Sequence, residues 1–343
     1  MRRLELVLEA DPDAIGYYRA IARVKIWKES RACNMNQRRP NFDPPQRGAR
    51  WLRLPLLALG LAALCQVPAA QSGESAPPLW QEVRPGLSYS VQEFPASTPD
   101  MTHRLHWLRI DLQQVDLEVT LSPQQCSGLR LTDLDHHARV LASINASFFS
   151  RDFLPRGHTV SNHLPWSGVY RLPESPLLSC SSERKCEVQH KPPEQAAPDW
   201  RNVAGGVHSL LTAGVARSQQ DDARCGAFCL TPHPRTAIGL DASGRWLFWL
   251  AAEGRQKTIT GLSLYHTAQL MQAAGVAEAI NFDGGGSTDM HVLGQAKVAR
   301  PDNEPLPRRI ANAWLILLHS DSAAHGKIEP LCATGESTEP LRP

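Results

Sequence analysis

The chain of 343 residues lacks a charge excess of either sign. Its formal net charge is +2, from 36 Lys+Arg against 34 Asp+Glu, so the broad basic field of a nucleic-acid binder is missing. Aromatic residues are scarce at 6%, and no internal repeat stands out, which excludes solenoids and arrays. No apolar run reaches the length of a membrane span; the longest candidate, Leu54 to Val67, is short and contains Pro55. A Gly-rich loop followed by Lys and Ser or Thr is absent, and no glycine fingerprint opens a helix in a βαβ unit, so nucleotide sites of those two kinds are excluded.

What is present divides the chain. Residues 1–69 carry 12 Lys+Arg and 6 Asp+Glu, which leaves 24 and 28 for the remainder, a net of −4. From Met35 an arginine-rich start leads into the apolar run and then to small residues, with Val67 and Ala69 in the −3 and −1 places of a cleavage site. That is the layout of a secretory signal. The expected organisation is an N-terminal extension at 1–34 ahead of the true start, a signal at 35–69, a Pro/Ser/Gly-rich lead-in at 70–100, one domain at 101–320 and a tail at 321–343. A removed signal leaves no stable membrane span and places the mature protein in the periplasm or outside the cell.

Further along, "HRLHWLRIDLQQVDLEVTLSP" alternates as paired strands do, and "LTDLDHHARVLASINASFF" opens with a capping-box spacing at Thr132 and Asp135, predicting a helix towards Val140 and a strand ending at Asn145. Residues 150–200 lack periodicity and read as a long functional loop region. "RTAIGLDASGRWLFWLAAEGR" reads as a hairpin, "SLYHTAQLMQAAGV" as an amphipathic helix, and "AEAINFD" and "NAWLILLHS" as buried strands. The mixture without a βαβ rhythm predicts an α+β domain, a mixed sheet with flanking helices.

Chemistry is expected around "INFDGGGSTDM", where Asp283 precedes three glycines. A tight turn between strands 279–282 and 290–293 is one reading. The other is that backbone without Cβ atoms admits a ligand, with the amides of Gly284, Gly285 and Gly286 cradling an anion while Asp283 acts on the adjoining carbon. Arg235, at the mouth of its strand, offers a guanidinium for a phosphate. Asn145 could hydrogen-bond a sugar hydroxyl, and Glu253 supplies a second strand-end acid. The pairs His103/His106 and His136/His137 have spacings a metal could use, but structural roles are the better reading. Asp283 and Asp289 could bind calcium, without a recognised calcium loop; no metal or cofactor is required.

Taken in order, "INASFF", "AGGVHSLLTAG", "HPRTAIGLD", "INFDGGGSTDM" and "RRIANAWLIL" resemble the phosphodiester glycosidase family from about Leu105 to Leu318. The resemblance implies an exported hydrolase that cleaves a sugar-1-phosphodiester of an envelope glycan or exopolysaccharide. Asp283 and Glu253 would be its catalytic carboxylates, in an order left open. Substrate contacts would fall at Asn145, Arg235, Thr236, Gly205, Gly206, Gly284, Gly285, Gly286, Ser287 and Arg309. The family pattern usually has Asn-Gly-Gly-Phe-Phe where Ala146 and Ser147 stand here, and Asp where Glu253 stands. Those departures keep a second reading open, a non-catalytic protein that binds phosphorylated glycans.

Export also fixes an expectation for the cysteines. Beyond the signal six remain, of which Cys180/Cys186 and Cys225/Cys229 are spaced as loop staples, leaving Cys126 with Cys332. A zinc site is the rival, and no histidine pair follows in register. Mass mapping of unreduced mature protein should find no free thiol; six free thiols would contradict export.

Overall fold

The computed structural model describes residues 76–121, 128–135, 137–166, 175–193, 195 and 197–318, with a two-residue strand pair at 6–7 and 23–24 in an N-terminal unit of its own. Cys126, Cys332, His136 and the signal-like run fall outside these residues. The unit that begins at Pro68 is mostly β.

Three antiparallel sheets make up this unit, so the expected mixed sheet is corrected to an antiparallel one. The largest has eight strands in the order 215–216, 209–212, 276–281, 235–241, 246–252, 102–111, 87–95 and 81–84. A four-stranded sheet runs Met290–Val292, Val140–Asn145, Asn312–Leu317, Asp116–Leu121. A five-stranded sheet runs Cys186–Gln189, Leu177–Ser181, Trp200–Gly205, Thr159–Ser161, Leu164–Pro165.

Period-two alternation decides what each face buries. Leu108, Ile110, Ile238, Trp249 and Ile280 on one face of the large sheet join Val119, Ile144, Trp314 and Ile316 of the four-stranded sheet in one core. Leu105, Trp107, Phe248 and Leu250 on the opposite face pack against Leu264, Ala268 and Met271 of the helix Leu264–Ala273. Ser263 caps that helix, its side chain accepting from the His266 amide. Trp249 and Trp314 are fully buried with their indole N–H groups unpartnered. Burying an indole contributes roughly 4–6 kcal/mol by area, against about 1–3 kcal/mol for an unmade hydrogen bond, so packing wins.

The hairpin Arg235–Asp241 with Trp246–Ala252 and the helix at 264–273 match the periodicity. Other expectations are overturned. Thr102–Asp111 and Asp116–Leu121 do not pair with each other; the first joins the large sheet and the second the four-stranded one. The expected helix after Thr132 is only a short 3-10 turn, Leu131–Leu134. The lead-in contributes strands Gln81–Arg84 and Leu87–Pro95, and the supposed loop region at 150–200 contributes four short strands. Among the described cysteines, Cys180–Cys186 and Cys225–Cys229 are bonded.

Asn202 joins two sheets. It is fully buried; its Oδ1 accepts from the Val119 and Asn162 amides, both at 3.1 Å, and its Nδ2 donates to the Leu117 carbonyl at 3.0 Å. Asn202→Ala leaves two amides and a carbonyl without this partner and should lower stability by about 2–4 kcal/mol in urea unfolding.

Candidate active site

The three glycines do not form a hairpin turn. Val276–Asn281 ends in the large sheet and Met290–Val292 begins in the four-stranded sheet, so residues 282–289 cross from one sheet to the other. Phe282 still donates to the Thr236 carbonyl of the large sheet at 2.8 Å, while the Asp283 amide donates to the Ala146 carbonyl at 3.0 Å. The chain changes sheets at Asp283.

Glycine is needed here for close approach. A Cβ on Gly284 would lie 2.7 Å from the Pro234 carbonyl oxygen, and Gly285 holds a φ of +61°. Asn145 fastens the crossing. Its Nδ2 donates to the Asp283 carbonyl at 2.7 Å; its Oδ1 accepts from the Thr236 hydroxyl at 2.7 Å and the Asp289 amide at 3.1 Å. With 1% exposure, Asn145 positions Asp283 instead of meeting a sugar, and Thr236 is buried in the same role.

Asp283 itself is only part-exposed. Desolvation raises its pKa to about 6, against the Gly284 amide, which donates to its Oδ1 at 3.0 Å, the nearby Ser287 hydroxyl, and the positive charges of Arg308 and Arg156. Burial outweighs those opposing contributions. The Ser287 hydroxyl is buried and makes no hydrogen bond of normal geometry. Arg308 pairs with Glu304 beside Gly286, and Arg255 lies against Gly285. Arg255 donates to His233 Nδ1 at 3.2 Å, which leaves the proton of the neutral imidazole on Nε2. Burial, then Arg235 and Arg255, hold the His233 pKa down to about 4.

Several expected site residues do other work. Arg235 is 1% exposed, and its guanidinium donates to the carbonyls of Leu262 (2.9 Å), Phe228 (2.6 Å) and Thr231 (3.1 Å) while lying over the Phe228 ring. It pins the turn stapled by Cys225–Cys229 and is not a phosphate clamp. Glu253 is 2% exposed; its carboxylate accepts from His106 Nε2 (2.7 Å), the Ala299 amide (2.9 Å) and Gln256 (3.1 Å), with Tyr89 on the far side of His106. These partners lower its pKa despite burial, and they give it a structural role. Two of the three glycine amides are engaged, Gly284 by Asp283 and Gly285 by the Pro234 carbonyl at 2.9 Å.

Gly206 also serves packing, since a Cβ there would lie 2.6 Å from the Asn281 carbonyl oxygen; Gly205 sits against the Arg156 backbone in the same way. Arg309 lies against Gly128, and its neighbour Arg308 is the one that acts on Asp283. Asp289 faces His291 at 3.3 Å, so the proposed calcium pair turns to separate partners. Reading by residue type missed Arg156, and it passed over His233 although that residue opens the motif "HPRTAIGLD". Arg255 and Arg308 stood inside quoted motifs, and nothing in a motif says which of two adjacent arginines faces inward.

Residues 138–317 match the family profile described as phosphodiester glycosidase. No curated protein matches the chain in sequence. Among solved structures, the catalytic domain of zebrafish N-acetylglucosamine-1-phosphodiester alpha-N-acetylglucosaminidase, auto-inhibited by its pro-peptide, is similar with a TM-score of 0.56 at 19% identity, over 71% of this chain and 86% of that one. A Synechocystis protein of no stated function gives 0.56 at 15%, over 72% and 64%. A Burkholderia pseudomallei protein described as exported gives 0.50 at 16%, over 63% and 74%. At these identities the structures speak for fold alone.

A carboxyl whose pKa is raised on folding binds its proton more tightly in the native state. Its native state therefore loses relative stability as pH rises from the unfolded value near 4 through about 6. Asp283→Asn removes that dependence. Denaturant unfolding should show the variant gaining on the parent between pH 4 and pH 7, by on the order of 2–3 kcal/mol.

Proposed function

The chain belongs to the phosphodiester glycosidase family, and from that premise we propose that it hydrolyses a sugar-1-phosphodiester at the anomeric carbon, with Asp283 as the reacting carboxylate. The carrying observation is Asp283 itself: a desolvated carboxyl with a pKa of about 6, placed at the sheet crossing among arginines. A group titrating there switches between acid and base close to neutral pH.

Cleavage at an anomeric carbon builds positive charge on the sugar and negative charge on the departing phosphodiester. Asp283 activates water or attacks the carbon directly. The leaving phosphodiester is a stable anion and needs donors more than a strong acid. Arg156, Arg255 and Arg308 take the role that sequence reading gave to Arg235, with the Ser287 hydroxyl and the neutral Nε2–H of His233 as further donors. A single carboxylate meets these demands, so the structural role of Glu253 leaves the scheme intact.

The departures at Ala146 and Ser147 remove no side chain that this scheme uses. Ala146 gives its carbonyl to Asp283, and the Ser147 amide donates to Asn312 Oδ1 at 2.8 Å. Ala146 acts through its backbone, the Ser147 hydroxyl also accepts from Asn312 Nδ2 at 3.1 Å, and neither residue has the positive φ that would demand glycine. Two bonded cysteine pairs support an extracytoplasmic site of action, as does the fold shared with an exported protein. No helix among the described residues is long and apolar enough to cross a membrane.

Asp283→Asn should keep its fold and lose release of free sugar from a sugar-1-phosphodiester panel. Arg308→Met should lower kcat/KM by about 10²–10³, the usual cost of one donor to a developing anion. Binding without release of sugar by the parent protein would establish the non-catalytic alternative.

A further inference from the structure

His291 is a buried titratable side chain that the proposed chemistry does not use. It lies in the edge strand Met290–Val292, directly after the sheet crossing, and each of its ring nitrogens meets a carboxylate. Nδ1 stands 2.6 Å from Asp135 Oδ1, and Nε2 stands 3.3 Å from Asp289 Oδ2. An ionised carboxylate only accepts, and a neutral imidazole has one N–H to give. Both contacts are hydrogen bonds only when the ring is an imidazolium.

The surrounding charges agree. The ring lines a cavity of about 200 Å³ whose other ionisable groups are Asp135 and Lys297. Lys297 Nζ donates to Asp135 Oδ2 at 2.7 Å. Two carboxylates and one ammonium thus surround the imidazole, and one more positive charge balances them. Burial works against a charged ring, but Asp289 and Asp135 outweigh it and raise the His291 pKa above its usual value of 6.5.

The charge on His291 reaches the candidate site through Asp289, which closes the crossing. The Asp289 amide donates to Asn145 Oδ1 at 3.1 Å, and its carbonyl accepts from the Asn145 amide at 3.3 Å. Asn145 Nδ2 in turn donates to the Asp283 carbonyl. When the ring gives up a proton, the shorter bond to Asp135 keeps the one that remains. Nε2 then turns a lone pair on the Asp289 carboxylate, and that contact becomes repulsive. We propose that His291 is a positioning residue, whose imidazolium holds Asp289 against Asn145 and so fixes the carboxamide that carries Asp283. For catalysis the proposal rests on Asp283 as the reacting carboxylate. Activity is then confined between two titrations, rising as Asp283 ionises at about pH 6 and falling as His291 becomes neutral.

Two measurements test it, and one needs no turnover. Proton–nitrogen NMR of the full-length protein follows the His291 ring and the Asn145 side-chain NH2 together as pH is raised. The ring midpoint should lie above about 6.5, and the Asn145 signals should shift with that same midpoint. Asp289→Asn should uncouple them, because a carboxamide can donate to the neutral ring. In the second measurement, kcat/KM on a sugar-1-phosphodiester should fall about tenfold across the alkaline limb of the parent's pH profile. That limb should vanish in Asp289→Asn and in His291→Gln. Asn145 signals that ignore the His291 titration, or a ring midpoint no higher than that of a free histidine, would overturn the proposal even in an inactive protein. An alkaline limb unchanged in both variants would overturn it in an active one. A protein inert toward sugar-1-phosphodiesters that still showed the coupled titration would sink the catalytic reading and uphold the positioning.

Discussion

Everything at the candidate site depends on a single carboxamide. Asn145 ends a strand of the four-stranded sheet, yet it bonds Thr236 of the large sheet and the backbone on both sides of the triple glycine. Two sheets that pack through apolar side chains are free to slide by small amounts. A buried side chain that satisfies three polar partners at once removes that freedom, because any shift leaves a buried group unpaired. Asp283 is held where the two sheets meet, and its environment follows from that placement.

The environment is a contest between burial and charge. Taking a carboxylate out of water favours the neutral acid, while Gly284, Arg308 and Arg156 favour the anion. Burial prevails by a margin small enough to leave the group switchable near neutral pH. Glu253 shows the opposite balance. It too is buried, but its hydrogen bonds outweigh desolvation and keep it ionised. Two strand-end acids that look alike in sequence thereby sit in opposite balances: hydrogen bonds hold Glu253 below the usual carboxylate range, while burial holds Asp283 above it.

Much of this was legible in the residues. The glycine triplet, its leading aspartate and the hairpin from Arg235 stand out by composition and alternation, because local rules govern turns and two-residue periods. Sheet partnership was not legible. Thr102–Asp111 and Asp116–Leu121 read as neighbours and separate into different sheets, since pairing between distant strands leaves no local signature. The burial of Arg235 was hidden for the same reason. Its partners, the carbonyls of Phe228, Thr231 and Leu262, are backbone groups that any residue type supplies. Arg308 and Arg309 show the limit in miniature: adjacent, identical in type, and set apart only by which of them faces Asp283.

The central claim is that Asp283 is a desolvated carboxyl able to change protonation near neutral pH and lying in contact with substrate. Carbon-13 titration of the aspartate side-chain carboxyls, assigned by comparison with Asp283→Asn, tests it directly. The account predicts a midpoint near pH 6 for Asp283 that moves when a sugar-1-phosphodiester analogue binds. A midpoint in the ordinary aspartate range near pH 4, unmoved by the analogue, would contradict it.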